Sequence, residues 1–191
     1  MVTATRDAAA TRQRLIDAAR AEFGQYGIAG SRVDRIAAKA EANKAQIYNY
    51  FGSKDQLFDT VWESVVQQVI ESVPIDAADL AGYAERLADT YRRHPEIRRL
   101  VSWQRLERGH DGPHRFAVQN TKATVDAIAK AQAEGTVSDH FDPGVLLALI
   151  INLASLWTTS SSLEVLTVAD VSNPKRQRTI IRDAVECLLS K

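Results

Sequence analysis

The residues from Glu41 to Phe58, EANKAQIYNYFGSKDQLF, crowd two tyrosines, two phenylalanines, two lysines, two glutamines and two asparagines into less than a tenth of a 191-residue chain. A segment that only filled a core would not carry so many hydrogen-bonding groups, and one that was only solvated would not carry four aromatic rings. Asparagine and glutamine pair with the edge of adenine, lysine reaches guanine or phosphate, and alanine leaves room for a thymine methyl. Tyrosine hydroxyls and lysine ammonium groups suit the phosphate backbone. The chemistry these residues could do is therefore readout of a nucleic-acid groove. Lys44, Ala45, Gln46 and Asn49 would meet bases, and Tyr48, Tyr50 and Lys54 phosphates.

Two other constellations could in principle do chemistry. Glu107 and His110 have Glu-x-x-His spacing, and His110, Asp111 and His114 could grip a metal from the loop HDGPH. A carboxylate-bridged metal bundle needs two Glu-x-x-His copies with further glutamates. There is no second copy, and Gly109 breaks any helix between the ligands. A loop of this composition more often faces solvent. The one cysteine, Cys187, has no histidine nearby in sequence to act as its base. Neither constellation implies a cofactor.

Elements must position the groove-reading residues, and apolar spacing supplies them. Val33, Ile36, Ala37 and Ala40 fall at i, i+3, i+4 and i+7, which predicts a helix of barely two turns. Ser31 before it, with Asp34 three residues on, has the spacing of a capping box. A short helix from about Lys44 to Phe51 follows, with Asn43 as cap and Gln46 at the reciprocal position. On a wheel of about 100° per residue, Ile47 and Phe51 face inward, and Ala45, Tyr48 and Asn49 face out. This pair with its connector is a helix-turn-helix, whose second helix suits a major groove about 12 Å wide. Leu15, Ala19 and Phe23 mark a preceding helix ending near Gly24 or Gly27. Downstream the spacing predicts about six longer helices: Leu57 to Val73, a segment around Ala84 to Tyr91, Ile97 to Gly109, Phe116 to Glu134, Pro143 to Thr159, and a last one through Ile181 and Leu188. No stretch alternates like a strand. The fold class is all-α, with a helix-turn-helix lobe over 10–57 and a helical lobe over 58–191.

Composition agrees with this reading. Hydrophobic residues at 45% and charged residues at 25% describe a folded chain with a real core. No apolar run reaches the roughly 18 residues that would span a bilayer. The start of the chain lacks a secretory signal's apolar stretch, and one cysteine fits a reducing cytoplasm. Net charge is zero but unevenly spread: residues 1–54 hold nine Lys/Arg against five Asp/Glu. A polyanion docks on local rather than total charge.

The run SRVDRIAAKAEANKAQIYNYFGSKDQLF resembles the DNA-binding signature of the tetracycline-repressor (TetR) family of transcriptional regulators. The matching features are the Ile36-Ala37 pair, Tyr48, Phe51, Lys54 and Leu57 at the family's relative spacing, within roughly residues 10–58. The resemblance implies backbone contacts from Ser31, Arg32, Tyr48, Tyr50 and Lys54, and base contacts from Lys44, Ala45 and Asn49, with Gln46 able to do either. Glu41 departs from the pattern, since members commonly place glycine in that turn. A left-handed residue there would cost about 1 kcal/mol.

The resemblance further implies that the second lobe dimerises and binds a small effector. Trp62, Tyr83, Tyr91, Trp103, Thr121 and Trp157 are the candidates for lining an effector site, although any one such aromatic is more often plain core. An aromatic-rich lobe with few inward charges suits an apolar or aromatic effector. VLLALIINLASLW, from Val145 to Trp157, is apolar around nearly its whole circumference, so something must cover it on every side. With the stripe Ile181, Ala184, Val185 and Leu188, it would form a four-helix interface across a dyad, outward positions being Leu149, Leu153, Val185 and Leu188. The alternative is a central core helix in a monomer. The reading is a homodimeric repressor on a palindromic operator in double-stranded DNA, released by a small hydrophobic effector, with no membrane partner. The competing reading is an all-α ligand-binding or metal-dependent enzyme with an incidental helix-turn-helix, which lacks a second metal motif and a nucleophile–base pair.

Overall fold

The computed structural model describes residues 2–109, 115–158 and 172–190, with side chains from Asp7 onward except in 115–120. Among these it contains nine α-helices, a 3-10 turn and no strand. They are α1 (Val2–Gly30), α2 (Val33–Lys39), α3 (Lys44–Phe51), α4 (Lys54–Ser72), α5 (Leu80–Arg93), α6 (Pro95–Arg108), α7 (Arg115–Ala133), α8 (Pro143–Ala154) and α9 (Pro174–Leu189), with the 3-10 turn at Leu156–Thr158. The all-α expectation holds. The described residues group into two compact units, one within 1–67 and 96–114, the other within 68–95 and 115–191.

In the first unit Leu15, Ala19, Phe23, Ile36, Ile47, Leu57, Phe58, Val61 and Leu100 are buried. Phe23 meets Phe58 edge-on at 5.2 Å between ring centroids, an arrangement favoured by the ring quadrupole. The first helix is the longest, at 29 residues. It starts far upstream of its apolar stripe because the run ahead of Leu15 is rich in helix formers and holds no glycine or proline. It breaks at Gly27, whose φ of 71° and ψ of −175° lie outside any helix. A Cβ there would come within 2.8 Å of the Trp103 ring, so only glycine lets α1 and α6 approach. The backbone N–H of Ala29, freed by the break, donates to Glu107 Oε2 at 2.9 Å.

Helix α2 corrects one expected cap. Its N-cap is Arg32, which makes no side-chain capping bond, and the Ser31 hydroxyl instead donates to the Ile28 carbonyl at 2.8 Å. The acceptor for the helix start comes from α1: Glu22 Oε1 takes the Arg32 N–H at 2.9 Å and Arg35 Nε at 2.7 Å. A buried carboxylate ten residues upstream thus takes the N-cap amide, the bond a capping box assigns to a side chain inside the helix. At the other end, the N–H of Ala42 donates to Ala37 O at 3.0 Å and that of Glu41 to Ala38 O at 3.3 Å. This is a Schellman closure, which wants a left-handed residue at its C′ position. Glu41 occupies it with φ 51°, so the departure noted in the sequence has the left-handed geometry that makes glycine usual. Arg14 Nε donates to the Ala40 carbonyl at 3.1 Å and secures the same turn.

The second unit buries Leu80, Ala84, Leu87, Ile128, Leu146, Leu147, Ile150 and Ile181. Its helix starts are signposted locally: Asp79 accepts from Gly82 N–H at 2.8 Å, and Asn173 accepts from the N–H groups of Lys175 and Arg176 at 3.1 and 3.2 Å. Arg182 of α9 pairs with Glu85 of α5 at 2.6 Å, and Arg178 pairs with Asp89. No helix among the described residues is long and apolar enough to cross a membrane.

Candidate nucleic-acid interface

Helix α3 is built to hold still. The Gln46 N–H donates to Asn43 Oδ1 and the Asn43 N–H donates to Gln46 Oε1, both at 2.9 Å, the reciprocal box expected from the sequence. Ile47 is 0% exposed and Phe51 7%, so they anchor the inner face. Arg12 lies over the Phe51 ring at 5.2 Å. Gly52, at φ 79°, closes the helix by donating its N–H to the Tyr48 carbonyl. Ala45, Tyr48 and Asn49, at i, i+3 and i+4, share the opposite face and are exposed, as are Lys44 and Tyr50. The outward and inward sets are those expected from the wheel.

The polar candidates differ in how free they are. Lys44 Nζ pairs with Asp34 Oδ1 of α2 at 3.1 Å, a bond that holds its ammonium above the usual lysine range. Both side chains are more than half exposed, so the pair is weak and open to exchange. Gln46 is partly exposed, and its carbonyl end is committed to the helix start. Lys54 Nζ is half-buried and donates to the carbonyls of Ile28 at 2.7 Å and Ser31 at 3.4 Å. It ties the end of α1 to the start of α4. Ser31 is buried, its hydroxyl already used, whereas Arg32 is exposed. Sequence reasoning missed Glu22, Arg35 and Glu107 as positioning residues. The available signal was a carboxylate, Glu22, beside Phe23 on the apolar side of α1.

The effector candidates are divided between the two units. Trp62 and Trp103 belong to the first unit, while Tyr83, Tyr91 and Trp157 belong to the second. Tyr83 and Tyr91 are buried, and desolvation, with the neighbouring Tyr91, pushes the Tyr83 phenol up to about 12. Thr121 is exposed on α7 rather than facing inward. Of the interface candidates, Leu149, Leu153 and Leu188 are half-buried. Val185 is 0% exposed. It sits one turn from Ile181 on the inner side of α9 and is core of its own chain, a correction to its expected outward place. Glu107 is occupied by the Ala29 amide. His110, Asp111 and His114 lie outside the described residues, among which no group of metal-ligating side chains occurs. Cys187 is exposed and free.

Comparison with known proteins agrees with this geometry. Residues 15–61 match the model of bacterial regulatory proteins of the tetR family, and residues 79–187 match the tetracyclin repressor-like C-terminal domain. An HTH-type transcriptional repressor of Streptomyces coelicolor is 42% identical over 154 residues, 80% of each chain. The HTH-type transcriptional repressor NicS of Pseudomonas putida is 33% identical over 120 residues, 59% of this chain and 55% of that one. The crystal structure of a transcriptional regulator from Streptomyces coelicolor superposes with a TM-score of 0.82 at 35% identity, covering 93% of this chain and 97% of the other. The helix-turn-helix of α2 and α3 thus belongs to a DNA-binding transcriptional regulator, and the chain is a member of the TetR family.

Proposed function

We propose that this regulator is a homodimeric repressor that holds a palindromic operator and leaves it when a small hydrophobic effector binds. The observation that carries the reading is the exposed Ala45, Tyr48 and Asn49 face of a helix whose start is doubly capped and whose back is buried. Asn49 and Lys44 read base edges, Ala45 admits a thymine methyl, and Tyr48, Tyr50, Arg32 and the remaining donor of Lys54 meet phosphates. DNA must then compete with Asp34 for Lys44, a contest between exposed charges that phosphate wins at low salt. Relatives named as repressors support the sign of regulation.

One recognition helix touches too few base pairs to discriminate among genomic sites, so two copies about a dyad are needed. Helix α8 offers the surface: Val145 and Ala148 are exposed and Leu149 and Leu153 half-buried, beside Leu188 of α9. Effector binding shifts the population toward a state in which the two α3 helices no longer match successive grooves. Membership of a regulator family favours this reading over an enzyme. The test is selection of bound fragments from random genomic DNA. The expected fragments share an inverted repeat with half-sites about 34 Å apart or a multiple of that. Fragments without a common repeat would overturn the dimeric operator reading.

A further inference from the structure

The interior of the first unit holds two polar groups with no partner. Gln104 is 1% exposed, and both its amide oxygen and nitrogen are buried without a hydrogen bond among the described residues. Trp62 is 7% exposed, and its indole N–H is likewise buried and unpaired. Native interiors pair nearly all such groups, so two orphans in one compact unit ask for an explanation.

Helical register brings them to one level. Lys54 reaches Ile28 and Phe58 meets Phe23, so α4 runs antiparallel to α1. Arg20 pairs with Glu96 and Ala29 with Glu107, so α6 runs parallel to α1 and therefore antiparallel to α4. Arg108 fixes the rung: it pairs with Asp55 and Asp59 and lies over the Phe58 ring at 4.8 Å. One turn along the same faces is Trp62 on α4 and Gln104 on α6. Leu100 and Val65, one turn further on their helices, are buried.

We propose that Gln104 and Trp62 are the polar floor of a ligand subsite that takes an uncharged ring through a paired donor and acceptor, as in a primary amide or lactam. The indole N–H and the amide NH₂ donate to the ligand's carbonyl, and the amide oxygen accepts from its N–H. Charged ligands are disfavoured because the mostly buried arginines of this unit already have counter-ions, Arg20 with Glu96 and Arg108 with Asp55 and Asp59. The inference rests on the effector reading above and assigns its polar contact to Gln104, a residue that reading did not include.

The test uses the full-length protein, benzamide as the probe and toluene as its edge-free counterpart, with binding followed by ligand-observed NMR. Benzamide binds the parent, and Gln104→Leu and Trp62→Phe each weaken it about tenfold while leaving toluene unchanged, as expected for a lost hydrogen bond in a dry site. Gln104→Leu also melts no lower than the parent, since it removes two unpaired atoms at nearly constant shape; Gln104→Met repeats the comparison with a flexible side chain. Absence of benzamide binding to the parent, equal binding to parent and variants, or a melting temperature that falls in both position-104 variants would overturn the proposal. Operator release is scored in parallel over a compound panel. A compound that frees operator from parent and Gln104→Leu at equal potency removes the subsite from the effector site and leaves the effector reading standing. Benzamide selectivity without release by any compound supports the subsite and refutes the effector reading alone.

Discussion

Truncation of Glu22 should loosen the helix-turn-helix from behind. Its Oε1 accepts the Arg32 N–H, which begins α2, and also takes Arg35. Loss of a helix cap costs about 1 kcal/mol. A hydrogen bond to a charged group costs about 1.5–3 kcal/mol. The Arg35 side chain is 40% exposed and can turn to water, so its share is small beside the bond to the Arg32 N–H. Glu22→Ala should therefore lose about 2–3 kcal/mol in urea unfolding. Glu22→Gln keeps an oxygen for the Arg32 N–H and should lose only about 1 kcal/mol. Operator affinity should follow the same order, since α3 is placed by α2. If Glu22→Ala unfolds within about 0.5 kcal/mol of the parent, the carboxylate does not hold α2. If Glu22→Gln is as damaging as Glu22→Ala, the charge matters and the backbone acceptor does not.

Other expectations are independent of that one. Glu41→Gly relieves a left-handed residue at the cost of a more flexible unfolded chain, and should raise the urea midpoint by the equivalent of about 0.5–1 kcal/mol; a fall would count against the turn geometry. Asn49→Ala should relax preference at one base position by about 1–3 kcal/mol in a mutated-operator series, whereas Lys54→Ala should weaken all sequences and flatten the salt slope by about one phosphate. Leu188→Glu should sediment as a monomer and lose specific operator binding while the first unit stays folded, because a charge buried between subunits costs several kcal/mol; a dimer at unchanged affinity would reject the α9 contact. The Tyr83 phenol, pushed up to about 12 by burial, stays protonated when a free tyrosine has ionised. Its folded value is raised, so its contribution is whole below pH about 10 and is lost as pH rises toward 12, visible as one tyrosine lagging in an ultraviolet titration.

Features encoded within a few residues were legible in the sequence, and features made by distant residues were not. The Asn43–Gln46 box and the buried pair Ile47 and Phe51 are local, and all are present as read. The Ser31 cap failed because α2 begins one residue later, with Arg32 as its N-cap and the Ser31 hydroxyl turned back to the Ile28 carbonyl. Lys54 reads as a phosphate contact by motif, yet most of its bonding is to carbonyls more than 20 residues away. The stripe on α9 could not say which of its apolar residues face inward: Ile181 and Val185 are core, while Ala184 and Leu188 keep surface. Which unit each aromatic candidate joins is not written in the sequence. Trp103 belongs to the first unit together with the rest of α6, although it follows α5 of the second unit in sequence.

The break at Gly27 has a mechanical meaning. An unbroken helix transmits torsion through its ladder of backbone hydrogen bonds, so turning one end turns the other. At Gly27 the backbone leaves helical geometry, and the final turn of α1, whose Ile28 carbonyl holds Lys54, is tied to α6 through the Ala29 N–H and Glu107. A slide of Glu107 would therefore be felt at the turn that leads into α2. The Ala29 amide is the joint of that tie. Its hydrogen-exchange rate should track the position of α6, making this proton a gauge of motion on its way to the helix-turn-helix.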